Sequence, residues 1–502
     1  MNANLAMLWM IALPLLASPL IYVAGRVPVR NGKSPRLARW LVVLVLAATF
    51  IPLAISGSAL LGGSKVEYAI GKVTLRMDGL SLLLAGTVLV LGLLVAFYST
   101  RYIAGEAGEE KFYALLSAMV GTMVGLGCSA DLFNLWVWFE AMTISSFMLV
   151  TFYQQQPTAL EAGIKYLVMS AIGSVFVLLG ISLVFAQTGT LDLMQIRNSN
   201  LLTPGLIIAS GTFFVIGFGV KAAFVPLHTW LPDAHSQAPS GISAMLSGVV
   251  IEAGLIAMLR ALAAVVVIKP ELWGTLLLVF GAVNMLIGNL MALRQTQVKR
   301  LLAFSSVAHM GYMLLGLGVA IGFQSLDGAQ GAFFHLINHA LMKGLAFLAA
   351  GALLYALYIS RGKHDPLEIS DLDGISRRYP LAAFSFSIAV LGLGGLPPLA
   401  GFMSKWQIFV AGFNTHIAWV MALVIFAALN SVLSLAYYAP LVNRIYRHEP
   451  AEVVAQGEKI SWVMTVPLVI LTLAVVVLGF YPVLMNWLTL PAAKALLAAF
   501  GG

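Results

Sequence analysis

Apolar stretches long enough to form a membrane-spanning helix recur along the whole chain. A helix needs roughly 20 apolar residues to cross a bilayer, and about fourteen runs approach or exceed that length. Hydrophobic residues make up 60% of the 502 residues and charged residues only 10%, which excludes an ordinary soluble protein. The sequence therefore predicts an all-α, polytopic membrane protein with about 14 transmembrane helices. The predicted spans are residues 5–25, 40–61, 80–98, 112–128, 132–153, 160–186, 204–224, 240–267, 272–293, 301–323, 331–358, 381–409, 417–442 and 460–487.

Basic residues are concentrated in loops that fall on one side of these spans. The first loop carries five of them, and the loops after spans nine, eleven and thirteen continue the bias. Lysine and arginine concentrate on the cytoplasmic side. We therefore expect both termini on the outer face of a prokaryotic inner (plasma) membrane. Lys65, Lys72 and Arg76 in the second loop run against this rule.

The same loops account for most of the net charge of +8, so no nucleic-acid partner is needed to explain it. The first apolar run is expected to be a retained helix and not a signal peptide, because no charged segment precedes it. The single cysteine, Cys128, excludes an intramolecular disulfide and a Cys-ligated metal cluster. No phosphate-binding glycine loop is present either. No cofactor is therefore expected in this chain.

A lysine and a helix break lie close together in the stretch 217–260. Lys221 ends an apolar run, Pro226 follows five residues later, and Glu252 stands in the next apolar run. A lysine at membrane depth costs about 3 kcal/mol or more, so it persists only where something neutralises or uses it. The proline disrupts the helix. Backbone carbonyls are then left without helical partners, and there is room for water beside the charge. This layout is typical of an ion pathway.

Three further polar residues belong to this region. Glu140 lies in an apolar helix and is the natural partner of Lys221, although a structural carboxylate paired with another cation is the alternative. Lys165 either joins the pathway or extends to the membrane interface. His228 either relays a proton from Lys221 or hydrogen-bonds the carbonyls freed by the break.

A second group of ionisable residues follows in the later spans. His335, His339 and Lys343 recur every four residues and therefore share one helical face. Metal binding is disfavoured, because no glutamate follows the first histidine and no third ligand is evident. A proton relay, to which His309 also belongs, suits the stripe better. Lys405 follows a second break, in the glycine- and proline-rich sequence LGLGGLPPLAGF.

Two breaks with a lysine beside each indicate an inverted-repeat transporter with discontinuous helices 7 and 12. Spans four to eight would form one five-helix repeat and spans nine to thirteen the other. The predicted parts are 1–100 with three helices, 101–268 and 269–445 as the two repeats, and 446–502 with helix 14.

The chain carries, in this order, a Phe–Glu pair at Glu140, VKAAFVPLHTWLPDAHSQAPS, VKRLLAFSSVAHMGY, HLINHALMKGLAFL and GLPPLAGFMSKW. Together these motifs resemble the antiporter-like subunits shared by respiratory complex I, energy-converting membrane-bound hydrogenases and multisubunit Mrp sodium/proton antiporters. The resemblance covers roughly residues 75–445. It implies that Glu140 and Lys221 form the pair of the input half-channel. It also implies that His309, His335 and His339 belong to a central hydrophilic axis and that Lys405 is the terminal proton site.

The eighth helix departs from the family pattern. The family usually has a lysine eight residues before an arginine, and here Glu252 stands in that position ahead of Arg260. A carboxylate can pass a proton, but its charge is opposite, so it needs a cation, a histidine or its own proton. Lys221, a histidine and Lys343 are the possible partners. We expect Glu252 to bridge the input lysine and the later histidine stripe electrostatically.

The resemblance favours a proton-translocating subunit of a redox-driven complex, with redox cofactors on partner subunits. An Mrp-type cation/proton antiporter subunit is the alternative. A stand-alone enzyme with its own quinone site is less supported, because no cofactor motif is visible. The expected partners are other membrane subunits, the lipid bilayer, and protons, with sodium ions as the alternative transported ion.

Overall fold

A computed structural model describes residues 2–71, 73–199, 201–266 and 270–501. Lys72 and the predicted end of span eight at Val267 lie outside these residues. The described chain is almost entirely helical, apart from one antiparallel hairpin between the second and third helices. The first half consists of α1 (Ala3–Arg30), α2 (Arg36–Leu61), β1 (Val66–Ile70), β2 (Val73–Met77), α3 (Gly79–Tyr102), α4 (Glu109–Gly127), α5 (Leu132–Val150), α6 (Pro157–Thr188), α7 (Leu193–Asn198), α8 (Pro204–Lys221), α9 (Trp230–Gln237), α10 (Ser240–Met245) and α11 (Ile251–Val265).

A π-helical turn joins α10 to α11, and the second half of the chain begins after α11. Leu246–Val250 is wound as a π-helix, so α10 and α11 form one continuous span. The remaining helices are α12 (Pro270–Ala292), α13 (Val298–Phe323), α14 (Leu326–Leu357), α15 (Pro380–Gly394), α16 (Ala400–Phe413), α17 (Ala418–Arg447), α18 (Glu452–Gln456), α19 (Trp462–Phe480) and α20 (Asn486–Ala499), with short 3-10 turns at Ile359–Arg361, Ile369–Leu372, Ile375–Arg377 and Pro482–Met485.

The predicted set of membrane spans is confirmed in outline. Within the described residues, 13 helical stretches are long and apolar enough to cross a membrane; 12 of them match predicted spans, and the other is Pro482–Ala499. Two predicted spans fall outside that set for physical reasons. α4 begins with Glu109 and Glu110, which pair with Arg39 and Arg26 at one end of the bundle. Span 12 is split into α15 and α16, as predicted, and span 7 is likewise split between α8 and α9.

The last predicted span, 460–487, is too long. α19 ends at Phe480, because Pro482 has no amide hydrogen to continue the helical hydrogen bonds. The chain then turns into α20, whose 14 residues extend about 21 Å and form, with the preceding turn, the apolar stretch Pro482–Ala499.

α20 packs at the amino-terminal ends of α14 and α3. Gln330 donates to Asn486 at 2.9 Å, and a Cβ on Gly79 would lie 2.2 Å from the Pro491 carbonyl oxygen. α3 and α14 occupy the third and eleventh spans, which run in the same direction. Both contacts are therefore on one membrane face, and α20 lies along that face.

Three spans lie at the centre of the bundle. In the 18-residue apolar parts of Ser240–Val265, Val298–Phe323 and Leu326–Arg361, 94–100% of the residues are buried, whereas in that of the peripheral span Ala418–Arg447 only 28% are. A helix that is apolar all round and surrounded by other helices excludes both water and lipid. The central spans also carry Glu252, His309, His335, His339 and Lys343. Residues from all four predicted parts of the chain contribute to one hydrophobic core.

Arg260 joins three elements near the end of α11. Its guanidinium donates to both carboxylate oxygens of Asp78 at 2.7 and 3.1 Å, to the Ser81 hydroxyl at 2.9 Å and to the Gly127 carbonyl at 2.7 Å. Burial opposes ionisation of Asp78, but Arg260 outweighs it and holds the pKa of Asp78 below its ordinary value. The pair therefore connects α11 with the start of α3 and the end of α4.

Breaking this pair is expected to destabilise the fold. Arg260→Met leaves a partly buried carboxylate without its cation, and we expect a loss of about 2 kcal/mol, below the 3–5 kcal/mol of fully buried pairs because Asp78 is partly exposed. The measurement is thermal unfolding of the detergent-purified full chain at pH 7.

Arg377→Met is the matched control, because it breaks the exposed pair with Glu449 and should change Tm little. The Asp78 contribution is present at neutral pH and is lost as the pH falls through the lowered pKa, so the two proteins should converge in strong acid. Equal losses in both variants at pH 7 would contradict the assigned role of Arg260.

Candidate functional site

Lys221 is the last residue of α8, where the helix breaks. Ala223 adopts a left-handed backbone conformation with φ of 56°. Asn284 on α12 satisfies the broken backbone: its amide donates to the Ala223 carbonyl at 3.1 Å and its oxygen accepts from the Val225 amide at 2.9 Å. A cation at a helix carboxyl terminus is favoured by the helix dipole. The break thus provides a stable position for one buried ammonium group.

Aromatic side chains surround the Lys221 ammonium. It donates a hydrogen bond of 2.7 Å to the Tyr166 hydroxyl and lies 4.4 Å from the centre of the Tyr166 ring and 5.6 Å from that of Phe139. The Tyr166 hydroxyl also bonds Ser146 at 2.7 Å, and Trp230 stacks on the Tyr166 ring at 4.1 Å. Ring faces attract cations. Tyr166 is therefore the direct partner of Lys221. Nothing in the sequence indicates this contact, because burying a tyrosine in a membrane helix costs little free energy compared with burying a charged residue.

Glu140 lies near Lys221 without forming a salt bridge in the described structure. The carboxylate is half-buried, and its Oε1 has no hydrogen-bond partner in the protein. A buried acceptor without a partner costs roughly 1–3 kcal/mol, and a charged one costs more. Glu140 and Lys221 thus share one region while Tyr166 holds the ammonium group.

Lys165 and His228 have different surroundings from Lys221. Lys165 is half-exposed and pairs with Glu161 at 2.8 Å and Asp233 at 2.9 Å, which matches a residue extending to the interface. The Nδ1 atom of His228 has no protein partner. Of the carbonyls near the break, Asn284 binds that of Ala223 and the Trp230 indole binds that of Val220 at 2.8 Å. These two carbonyls are therefore bonded by residues other than His228.

Glu252 meets His339 at the centre of the bundle. Glu252 Oε1 and His339 Nδ1 are 2.9 Å apart, and both side chains are completely buried. Glu252 Oε2 and His339 Nε2 have no protein partner. On the other side of α11, a Cβ on Gly254 would lie 3.0 Å from the Lys221 side chain. α11 therefore stands between the lysine at the first break and the histidine helix.

The histidines form a row that extends from Glu252 towards the second break. The His339 and His309 rings are 5.3 Å apart, centre to centre. His309 Nδ1 and His335 Nε2 share a hydrogen bond of 3.1 Å, and His335 Nδ1 bonds the Ser404 hydroxyl at 2.9 Å. We call Glu252, His339, His309, His335 and Ser404 the central row. It connects α11 with α13, α14 and α16.

Lys343 lies beside the central row and does not bond to it. Its ammonium donates to the Leu302 carbonyl at 2.7 Å and to the Ser305 hydroxyl, which also accepts from Tyr438 at 2.6 Å. The four-residue spacing does place Lys343 one turn from His339, as predicted. The stripe therefore divides, with two histidines in the row and the lysine on a separate cluster of hydroxyls.

Lys405 occupies the second break. α15 ends at Gly394, Gly395 takes the left-handed conformation with φ of 82°, and α16 begins at Ala400. The ammonium group donates to the freed Leu393 carbonyl at 2.8 Å and to the Ser431 hydroxyl at 2.9 Å. It also lies 4.5 Å from the centre of the Tyr312 ring. That ring is 5.8 Å from His335, so Tyr312 connects the central row with Lys405.

His235 and Lys299 are two buried groups that sequence reasoning did not assign. His235 is fully buried, stacks on Phe347 at 4.9 Å, and has no protein partner for either ring nitrogen. It lies within electrostatic range of both Lys299 and Lys343. Lys299 donates to the carbonyls of Ser236 and Ala238. Both residues lie between predicted spans, so the sequence indicated a loop histidine and an ordinary basic loop residue.

Two polar cavities open on the face that carries the basic loops. One has a volume of about 250 Å³ and is lined by Lys299 and Ser236. The other has a volume of about 390 Å³, and the two share Tyr153, Gln156 and His364. Burial raises the pKa of Glu106, which also lines the second cavity, and the nearby His364 opposes that shift. Polar side chains therefore extend from this face to the neighbourhood of His235.

Comparison with known proteins agrees with this architecture. A family model described as NADH:quinone oxidoreductase/Mrp antiporter, transmembrane, matches residues 129–434, and one described as complex I chain 5 N-terminus matches residues 70–113. F(420)H(2) dehydrogenase subunit N of Methanosarcina mazei is 34% identical over 496 residues, which are 96% of this chain and 98% of that protein.

Solved structures give the same result. A chain of the membrane-bound sulfane sulfur reductase, an archaeal respiratory membrane complex, superposes with a TM-score of 0.86 at 27% identity, covering 98% of this chain and 99% of that one. A chain of the Mrp complex from Dietzia sp. DQ12-45-1b has a TM-score of 0.87 at 23% identity over the full length of both, which shows the fold alone.

The protein is thus a polytopic antiporter-like membrane subunit with buried glutamate, lysine and histidine side chains. It belongs to the NADH:quinone oxidoreductase/Mrp antiporter family.

Proposed function

We propose that this subunit moves protons across the membrane between Lys221 and Lys405, driven by redox chemistry in partner subunits. The central row carries the proposal, because Glu252, three histidines and Ser404 stand in close succession through the most buried part of the bundle. Redox cofactors would be bound by the partner subunits, and this chain would supply the pathway.

The chemistry of the row favours protons over sodium ions. A neutral imidazole has one donor and one acceptor nitrogen, so neighbouring histidines can take up a proton on one side and release it on the other. Hard cations prefer several oxygen ligands, whereas the row offers mainly nitrogen atoms. Glu252 is its one carboxylate among the described residues, and a histidine already bonds it.

Proton movement in the first half would depend on which partner holds Lys221. In the geometry described above the ammonium bonds to Tyr166, and Glu140 stands nearby without a partner for Oε1. An alternative arrangement with a closed Glu140–Lys221 pair would stabilise the charged lysine more strongly. Switching between these two partners would let Lys221 hold a proton in one state and release it towards Glu252 in the other.

The polar cavities offer a supply route from the face with the basic loops. Lys299 and His235 stand between the smaller cavity and Lys343. We propose that protons pass from the cavities through these two residues towards Lys343, and that Lys405 is the terminal group on the outer side. Lys165, half-exposed and paired with acids, is left out of this route.

The two breaks also support an inverted-repeat arrangement, with spans four to eight opposite spans nine to thirteen. Each repeat would contribute one discontinuous helix and one lysine, Lys221 or Lys405. The predicted parts 1–100, 101–268, 269–445 and 446–502 follow from that arrangement. The basic loops favour a prokaryotic inner membrane with both termini on the outer face.

A redox-driven complex is favoured over an Mrp-type antiporter as the parent assembly. The relative with 34% identity over nearly the whole chain is a dehydrogenase subunit, whereas the solved Mrp structure is only 23% identical and shows the fold alone. We expect the complex purified through a tag on this chain to contain iron–sulfur or hydrogenase-like subunits, identified by mass spectrometry. Recovery of small membrane subunits alone would instead favour the antiporter.

Removing the Tyr166 hydroxyl is expected to slow pumping. Tyr166→Phe deletes a hydrogen bond to a charged group, which is worth about 1.5–3 kcal/mol. The Tyr166-bound state, from which Lys221 would release its proton, would then form less readily, and pumping should slow by at least about tenfold. The measurement is acidification of proteoliposomes that contain the purified complex, followed with a pH-sensitive dye.

Two lysine variants serve as the negative and positive controls for this measurement. Lys221→Met should abolish pumping while the complex still assembles, and Lys165→Met should leave pumping close to normal because Lys165 is a half-exposed ion-paired residue. Normal pumping by Lys221→Met would remove the first break from the pathway.

The charge of Glu252 is expected to be essential. Glu252→Gln keeps the shape of the side chain and removes its acid–base function, so pumping at matched assembly should fall by about a hundredfold or more, as for other proton-transfer groups. Glu271→Gln, which removes an exposed carboxylate from α12, is the control and should pump normally.

Glu252→Lys tests whether the site is built around an anion. It restores the family's usual residue, but a cation there would face His339 in place of the carboxylate that His339 now contacts. We expect this variant to fail as well. If Glu252→Gln pumps at the normal rate, Glu252 is a structural replacement and protons pass it by.

A further inference from the structure

Two cavities of different chemistry meet at the end of α2. The larger, of about 730 Å³, lies among α2, α3, α14, α19 and the turn before α20. The smaller, of about 470 Å³, lies at the membrane face beside the β-hairpin and α20. Leu61 lines both of them. The two cavities therefore adjoin at Leu61, and we call the pair of them the groove.

The larger cavity is apolar throughout. Its two hydroxyl groups are already used within their own helices, since Ser58 donates to the Ile55 carbonyl at 3.1 Å and Thr87 to the Leu83 carbonyl at 2.8 Å. A water molecule in a protein cavity needs two to four polar partners, so this cavity does not suit ordered water. Exposed Val90 and Val477 stand at its rim, which places its opening towards the lipid.

The smaller cavity has an unbalanced positive charge. Its acidic residues are already paired, Glu67 with Arg76 at 2.6 Å and Asp78 with Arg260 at 2.7 Å. Lys65 and Lys494 also line it, and among the described residues neither has a carboxylate within 4 Å. Both lysines are exposed. The cavity therefore attracts an anion at the membrane face.

α20 gives this groove its position relative to the bilayer. The helix lies along the face where α3 and α14 begin, and the exposed Trp487 lines the apolar cavity at its start. Tryptophan is enriched at the level of the lipid headgroups. The two lysines therefore stand at headgroup depth, and the apolar cavity stands at acyl-chain depth.

We propose that this groove binds an anionic phospholipid, with the phosphate at Lys65 and Lys494 and one acyl chain in the apolar cavity. The site lies outside the proton pathway and does not depend on the proposed function. It also gives Lys65 a role that the distribution of basic loops does not explain. An acyl chain is as apolar as the leucines that line the cavity, so the tail supplies fit and the charge supplies selectivity.

The test uses the full chain, purified in detergent and washed free of lipid, with native mass spectrometry to measure bound lipid. The probes are dioleoyl phosphatidylglycerol, dioleoyl phosphatidylcholine and glycerol 3-phosphate. We expect phosphatidylglycerol to bind more tightly than phosphatidylcholine of the same chain length. The double variant Lys65→Gln/Lys494→Gln should reduce that preference by about fivefold for each lysine.

Two further variants test whether the effect is specific to this groove: one controls for the loss of charge, and the other fills the apolar cavity. Lys33→Gln/Lys459→Gln removes the same charge from exposed loop positions elsewhere and should leave the preference unchanged. Gly86→Phe projects into the apolar cavity, where a Cβ meets open space, and should weaken binding of both lipids without lowering Tm.

Three outcomes would overturn the proposal. Equal binding of both lipids by the unmodified chain would mean that the lysines select nothing, as expected if a partner subunit's helix fills the groove. An unchanged preference in the Lys65→Gln/Lys494→Gln variant would place the anion elsewhere. Binding of glycerol 3-phosphate as tight as that of phosphatidylglycerol would show a simple phosphate site that does not use the apolar cavity.

Discussion

The bilayer core contains no water to bind polar groups, and this constraint determines how the polar side chains of the protein are arranged. Each break in a helix frees carbonyls and amides that must be bonded inside the protein. At the first break Asn284 and Trp230 supply those bonds, and at the second Lys405 itself binds a freed carbonyl. The breaks are therefore stable positions for lysine. At the second break the ammonium group bonds a freed carbonyl directly, and at the first it lies beside backbone groups that other side chains bond.

Glu252 places an acidic group at the centre of the molecule, where the family resemblance predicts a lysine. Three lysines, Lys221, Lys343 and Lys405, are buried around the histidines, and a fourth cation there would repel them all. A carboxylate instead attracts these cations and can accept a hydrogen bond from His339. The carboxyl group at position 252 thus avoids a fourth cation among these lysines and continues the row through His339.

Sequence reasoning found the spans and both breaks because these features leave strong local signals. Apolar runs of about 20 residues and a proline beside a lysine are visible without any structure. Partners were harder to find, because contact between Lys221 and Tyr166 joins two helices 55 residues apart. The end of α19 was misplaced because an apolar run continues through Pro482, and only the fold shows that α20 turns along the membrane face.

The buried polar atoms without a protein partner are concentrated along the proposed pathway. Among the described residues there are 12 such side-chain atoms, and six belong to Glu140, His228, His235, Glu252 and His339. In an ordinary core such atoms are rare, because each costs about 1–3 kcal/mol. Such an atom can bond a transferred proton or a water molecule, which agrees with the proposed relay through these residues. These five residues are therefore where the proposed pathway leaves side-chain positions open for proton transfer.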